Sequence, residues 1–219
     1  MDGLTLVIGN KNYSSWSMRP WLALRHAGID FDERLIPLFD ADWPAAIAAV
    51  SPTRKVPVLL HGEVTVCETL AIIEYAHDLY PDAGLWPADR TARAVARSIA
   101  CEMHAGFGAL RNHMPVNLRR TDLKGKGRGP GVEADVARVC EIWRDCRARF
   151  GAGGDFLFGP FCAADAMFAP VVTRLDTYGV DLDDTCAAYS RAVLTLPAFQ
   201  EWRDAALKET WVVAEDEID

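Results

Sequence analysis

Three serines, Ser14, Ser15 and Ser17, stand between an apolar run, Leu4-Thr5-Leu6-Val7-Ile8, and a stretch that reads as a helix from Ser15 to Ala27. A hydroxyl at a helix start sits among backbone N–H groups with no intrahelical acceptor, at the positive end of the helix dipole. Such a place favours an anion. No cysteine lies in this turn, so it offers no dithiol chemistry of its own. A serine can instead donate a hydrogen bond to a thiolate brought by a substrate. A free thiol titrates near ~8.5, and lowering that by about two units requires roughly 2.7 kcal/mol of preference for the thiolate. One charge-assisted hydrogen bond and a helix terminus together are of that order. Taken alone, the same serines are ordinary turn and cap residues.

Two further short motifs suit a peptide-like ligand. Lys55-Val56-Pro57-Val58 puts a proline at the entrance to a strand, where proline is tolerated. A cis Val56-Pro57 bond would turn the Val56 backbone groups outward as a clamp for an extended peptide. Glu68-Thr69 opens a helix. The N–H and hydroxyl of Thr69 suit a carboxylate at that terminus, and Glu68 suits an ammonium. Together the pair fits an α-amino acid end such as the γ-glutamyl group of glutathione.

The elements that must hold these motifs follow from periodicity and punctuation. Strands are expected at Leu4–Ile8 and Phe31–Leu38, a short helix at Trp43–Val50, and a hairpin of Val58–Leu60 and Val64–Val66 about His61-Gly62-Glu63. Pro20 is expected in the first turn of its helix. A helix over Glu68–Tyr80 stops at Pro81. Strand, helix, strand, short helix, hairpin, helix is the thioredoxin-like plan. Beyond the turn-rich stretch Pro81–Pro87 the strand signals cease. Helices are expected at Asp89–Asn112, Val132–Phe150, Ala163–Tyr178, Asp183–Thr195 and Pro197–Leu207. The fold class is therefore an α/β thioredoxin-like domain over residues 1–82, followed by an all-α bundle over 88–219.

On the first long helix of the bundle, His104, Phe107 and Arg111 are expected to share one face, i, i+3 and i+7, towards the motifs. Tyr13 and Trp16, beside the serines, complete the candidate lining for a second substrate. Arg111 suits a carboxylate or a developing negative charge. The Gly-rich basic run Lys124–Gly131 reads as a flexible connection, with a lid as the alternative; it lacks the order of a phosphate loop.

In sequence, spacing and order these motifs resemble the cytosolic glutathione transferase family. Ser14-Ser15-Trp16-Ser17-Met18-Arg19 is similar to the Ser-Ser-Cys-Ser-Trp-Arg of the serine-type zeta class. Ser51-Pro52-Thr53-Arg54-Lys55-Val56-Pro57 is similar to its Asn-Pro-x-Lys-Gln-Val-Pro, and Glu68-Thr69-Leu70-Ala71-Ile72 to the family's Glu/Gln-Ser-x-Ala-Ile. Cys162-Ala163-Ala164-Asp165 stands where the family has a Ser/Thr-x-x-Asp helix start, with a thiol in place of the capping hydroxyl. The resemblance implies glutathione as co-substrate. Ser14 would be the thiolate donor, ahead of Ser15 and Tyr13. Val56, with Lys55 and Pro57 about it, would hold the cysteinyl backbone, and Glu68 and Thr69 the γ-glutamyl end. It also implies a homodimer and a small electrophilic substrate, conjugated or isomerised. Glutathione-dependent peroxidase or disulfide reductase activity is the alternative chemistry, and a non-enzymatic binding or dimerisation module the alternative role. Trp16 and Met18 replace a cysteine and a tryptophan of the zeta pattern, and Lys55 replaces a glutamine.

The totals exclude other classes. A net charge of −8 over 219 residues argues against a general nucleic-acid binder. No apolar run approaches a membrane span and no secretory leader precedes Leu4, so a cytoplasmic protein is expected. The six scattered cysteines form no Cys-x-x-Cys pair, and no metal is expected.

Overall fold

The computed structural model describes residues 3–218. Strands β1 (Leu4–Ile8), β2 (Asp32–Leu35), β3 (Val58–His61) and β4 (Val64–Cys67) form a mixed sheet in the order β2-β1-β3-β4. β1 runs parallel to β2 and antiparallel to β3, and β3–β4 is a hairpin. Side chains alternate across a strand, so Leu4, Leu6 and Ile8 enter the main core while Val7 joins Ile36, Ile47 and Val58 in a smaller cluster. The second strand is shorter than its sequence suggests. Ile36 N–H still donates to Ile8 C=O, but Pro37 has no N–H and pairing ends there.

Helix α1 (Ser15–His26) packs between the sheet and the helical part. Pro20 is its sixth residue rather than a first-turn residue, which corrects the expectation. A proline there leaves the carbonyl four residues back without its helical donor. That carbonyl is Trp16 C=O, and it accepts instead from the Thr69 hydroxyl at 2.9 Å. Thr69 is the first residue of α3 (Thr69–Leu79), so the proline creates the vacancy through which α3 is tied to α1. The short α2 (Trp43–Ala48) precedes β3.

The helical part comprises α4 (Arg90–Ala105), α5 (Gly108–His113), α6 (Val132–Phe150), α7 (Ala163–Thr177), α8 (Asp184–Leu194) and α9 (Pro197–Ala206). The expected single helix Asp89–Asn112 is in fact two. Gly106 is extended, and a Cβ on it would stand 2.8 Å from Glu102 C=O. Phe107 is left-handed (φ 57°) and buried in the core, and Asp135 of α6 receives the Leu110 N–H of α5. His104, Phe107 and Arg111 therefore do not share a helical face.

Helix α7 is almost wholly buried and packs against both α1 and α4. Its entrance is organised by Asp165, which accepts from Cys162 N–H at 2.9 Å and Leu157 N–H at 3.0 Å. The carboxylate thus holds the helix entry that the missing hydroxyl at Cys162 would otherwise help to cap. Burial pushes the Asp165 carboxyl up to about 6, against these hydrogen bonds, and lifts the Cys162 thiol as well. Lys124–Gly131 packs on the end of α5. Gly125 N–H donates to Tyr178 C=O, and a Cβ on Gly129 would strike the His113 ring. No helix among the described residues is long and apolar enough to cross a membrane.

Candidate active site

The turn after β1 is set by close packing. A Cβ at Gly9 would lie 2.7 Å from the Leu38 side chain, so glycine lets that side chain pack directly on the turn. Gly9 N–H donates to the Ser17 hydroxyl at 3.1 Å. Ser14 caps α1: its oxygen accepts from Ser17 N–H at 3.3 Å and its hydroxyl donates to Ser17 Oγ at 2.7 Å. Ser15 contributes its carbonyl to Arg19, and its hydroxyl has no protein partner among the described residues. Both Ser14 and Ser15 are buried against the protein yet line an open cleft.

Two adjoining cavities make up that cleft. The smaller, about 300 Å³, is lined by Lys55, Val56, Pro57, Glu68, Thr69 and His104, with Trp16 and Arg111 at its margin. The larger, about 690 Å³, contains Tyr13, Ser14 and Ser15 and shares Trp16, Lys55, Val56 and Arg111 with the first. The loop before β3 is held by Ser51, whose hydroxyl donates to Lys55 C=O and accepts from Lys55 N–H. The Val56–Pro57 bond is cis. Glu68 has φ 75°, and its half-exposed carboxylate lies 3.8 Å from His104 Nε2. The hydroxyl proton of Thr69 is committed to Trp16, so what this residue can offer a carboxylate is its N–H at the start of α3.

The sequence-derived residues thus divide. Ser14, Ser15, Tyr13, Trp16, Lys55, Val56, Pro57, Glu68, Thr69, His104 and Arg111 converge on the cleft. Phe107 does not: the break before α5 turns it into the core. Tyr13 lines the cleft, but its hydroxyl donates to Glu217 at 2.6 Å and accepts from Arg119 at 2.7 Å, and burial foremost raises its pKa. Lys124–Gly131 lies outside the lining of both cavities.

Sequence reasoning missed a cationic cluster and the tail that answers it. Arg19 and Arg174 are fully enclosed. Arg19 donates to Met167 C=O and Ser15 C=O, lies over the Trp16 ring at 4.3 Å and keeps one nitrogen unpartnered among the described residues. Arg174 donates to Met114 C=O and Pro170 C=O and reaches the larger cavity. Burial first, and neighbouring arginines second, pull both guanidinium groups down, Arg174 to about 10. A signal was present: Arg19 stands between Met18 and Pro20-Trp21, and Arg174 follows the apolar run Met167–Val172, so each is a charge on a face rich in apolar residues. From the C-terminal stretch Asp216 also enters the cavity.

Residues 13–79 match the model of the glutathione S-transferase N-terminal domain. That stretch is a glutathione transferase N-terminal domain. Its relatives include a probable maleylacetoacetate isomerase of Caenorhabditis elegans, 26% identical over 84% of this chain and 86% of the relative. The maleylacetoacetate isomerase of Rattus norvegicus is 26% identical over 85% of each chain. Among solved structures, a Burkholderia glutathione transferase homologue with bound glutathione is 26% identical, with a TM-score of 0.69 over 93% of this chain and 97% of that one. A bacterial maleyl pyruvate isomerase of the zeta class, 23% identical with a TM-score of 0.71 over 94% of this chain and 100% of that one, shares the fold. The chain accordingly has the thioredoxin-like sheet region followed by the helical bundle of the solved glutathione transferases it is similar to.

Proposed function

We propose that the chain binds glutathione along the smaller cavity, holds its sulfur as the thiolate beside Ser14 and Ser15, and delivers it to a small electrophile in the larger one. The observation that carries this reading is the junction of the two cavities at Trp16, Lys55, Val56 and Arg111, with the helix start at Thr69 on one side and the serines on the other. The residues fit the tripeptide. Thr69 N–H meets the γ-glutamyl carboxylate, Glu68 the ammonium, the Val56 backbone the cysteinyl amide and Lys55 the glycyl carboxylate. The sulfur then lies by the serine hydroxyls at the α1 N-terminus, where an anion is favoured. Ser14 oxygen can keep accepting from Ser17 N–H while its proton turns from Ser17 to the sulfur. Ser15 can donate without giving up a protein partner.

Rate then comes from a larger thiolate fraction and from the alignment of the two substrates. Conjugation and glutathione-dependent isomerisation both follow from one thiolate, and the isomerase names of the relatives support the second. A homodimer in the cytoplasm goes with the same reading, and sedimentation velocity tests the assembly.

The test is calorimetric titration of glutathione, followed by thiolate absorbance of the complex against pH. Micromolar to low-millimolar binding with the thiol titrating about two units below its free value is the expected result. Binding with an unshifted thiol would leave a carrier, and no binding would leave only the scaffold.

A further inference from the structure

Six titratable side chains line the larger cavity: Tyr13, Arg54, Lys55, Arg111, Arg174 and Asp216. Tyrosine, lysine and arginine hold their protons near neutral pH. The Tyr13 hydroxyl is moreover committed to Glu217. The Asp216 carboxyl is therefore the group of this lining suited to gain and lose a proton there, and it shares the cavity with Ser14 and Ser15.

Several contacts fix its place. Asp216 ends a tight turn, Ala214–Asp216, and its N–H donates to Val213 C=O at 3.0 Å. Val213 is buried. On the other side, Glu217 accepts from Tyr13 at 2.6 Å, Asn117 at 2.8 Å and Arg120 at 3.0 Å. The chain is thus anchored before and after Asp216, whereas its own carboxyl has no hydrogen bond or ion pair among the described residues. Partial burial is costly for such a group, and no protein contact offsets the cost. Burial raises the carboxyl to about 6, Arg174 of α7 opposing and Glu215 and Glu217 assisting. Arg54 and Lys55 from the loop before β3 and Arg111 of α5 are the other charges of the lining. A general acid works best when it titrates near the working pH.

We propose that Asp216 is a general acid of this cleft and that the acceptor it serves is an α,β-unsaturated carbonyl compound. The inference rests on the transferase reading given above. The glutathione thiolate sulfur bonds to the β-carbon, and the electron pair of the double bond moves to form an enolate. The Asp216 carboxyl transfers its proton to the α-carbon, which completes the thioether adduct. The carboxylate left behind takes a proton from solvent, equivalent to the one that the glutathione thiol released on ionising. Displacement of chloride from an aromatic ring needs no such proton, because the leaving group departs as an anion.

The experiment is turnover of 4-phenyl-3-buten-2-one and of 1-chloro-2,4-dinitrobenzene at saturating glutathione, from about pH 5.5 to 8, by the full chain, Asp216→Asn and Asp216→Glu. The quantity read is the ratio of enone addition to chloride displacement, in which the shared thiolate cancels. In the wild type this ratio should fall about ten-fold between about pH 7 and 8, as the acid form of Asp216 is depleted. In Asp216→Asn the ratio near pH 6.5 should drop at least about ten-fold and lose its pH dependence, and Asp216→Glu should restore part of it. The wild-type profile needs no variant. A wild-type ratio indifferent to pH, a ratio unchanged in Asp216→Asn, or no catalysed enone addition beside catalysed chloride displacement overturns the proposal while the transferase reading stands. If neither acceptor reacts faster than without the protein, the transferase reading falls and this inference with it.

Discussion

Ser14 and Ser15 are adjacent in sequence and differ in what surrounds their hydroxyls. Ser14 is both cap and donor, whereas Ser15 lines the cleft with its hydroxyl unclaimed by the described protein residues. Ser14→Ala should therefore cost about 1 kcal/mol of stability through the lost cap, and Ser15→Ala much less. In the glutathione complex each substitution that removes a thiolate donor should raise the thiol pKa by about one to two units. Denaturant melts and thiolate absorbance of the two variants separate the roles. The serines, Val56-Pro57 and Glu68-Thr69 were legible in the sequence because each motif is local: a few neighbouring residues define the turn or helix start. The occupation of Tyr13 by Glu217 and Arg119 was not, since those partners lie more than one hundred residues away.

At the scale of elements, Pro20 and Thr69 form one device. The proline withholds an N–H from Trp16 C=O, and a hydroxyl from another helix replaces it. Thr69→Val keeps the shape and removes that donor, leaving a partly buried carbonyl unpaired. A loss of about 1–2 kcal/mol, read as a drop of roughly 2–6 °C in Tm, is expected. The α4–α5 break is an element-scale feature that periodicity conceals. Gly106 is tolerable within a helix, and only the burial of Phe107 and the hydrogen bond from Leu110 N–H to Asp135 of another helix favour breaking there. At the α7 entrance, Asp165 carries a pH signature. Its folded pKa of about 6 lies above its unfolded value near 4. The folded state thus holds a proton that the unfolded chain releases between these values, so this contribution is present at pH 4 and lost as pH rises through 6. Relative to Asp165→Asn, the wild type should lose about 2–3 kcal/mol between pH 4 and pH 7.5, measured by urea unfolding at both.

Across the whole molecule, the chain's end braces its beginning. Glu209 receives the N–H groups of Lys11 and Asn12, Arg119 donates to Glu209 C=O and Trp211 C=O, and Trp202 donates to Lys11 C=O. Burial, working against these hydrogen bonds, raises the Glu209 carboxyl above its usual range. Glu209→Ala would leave two backbone N–H groups of the turn after β1 unpaired. A loss of about 2–4 kcal/mol is expected, with weaker glutathione binding because the turn that carries Ser14 loosens. Thermal melts and calorimetry check both. The acidic tail, read alone, gave no hint of this bracing role, because it has no periodicity and its partners are distributed over the first turn and the segment after α5.

The sequence by itself determined the order of elements apart from the α4–α5 break, the helix starts with their anion-favouring N–H groups and the family resemblance, because caps, turns and alternation are set by residues within a few positions of one another. Tertiary structure alone decided which of those motifs share a cleft, that Phe107 faces the core, that the Thr69 hydroxyl serves Trp16, and that Arg174 and Asp216 line one cavity. Each of these depends on packing between segments far apart in the chain, where the cost of burying a charge or an unpaired polar group fixes the outcome and no local pattern reports it.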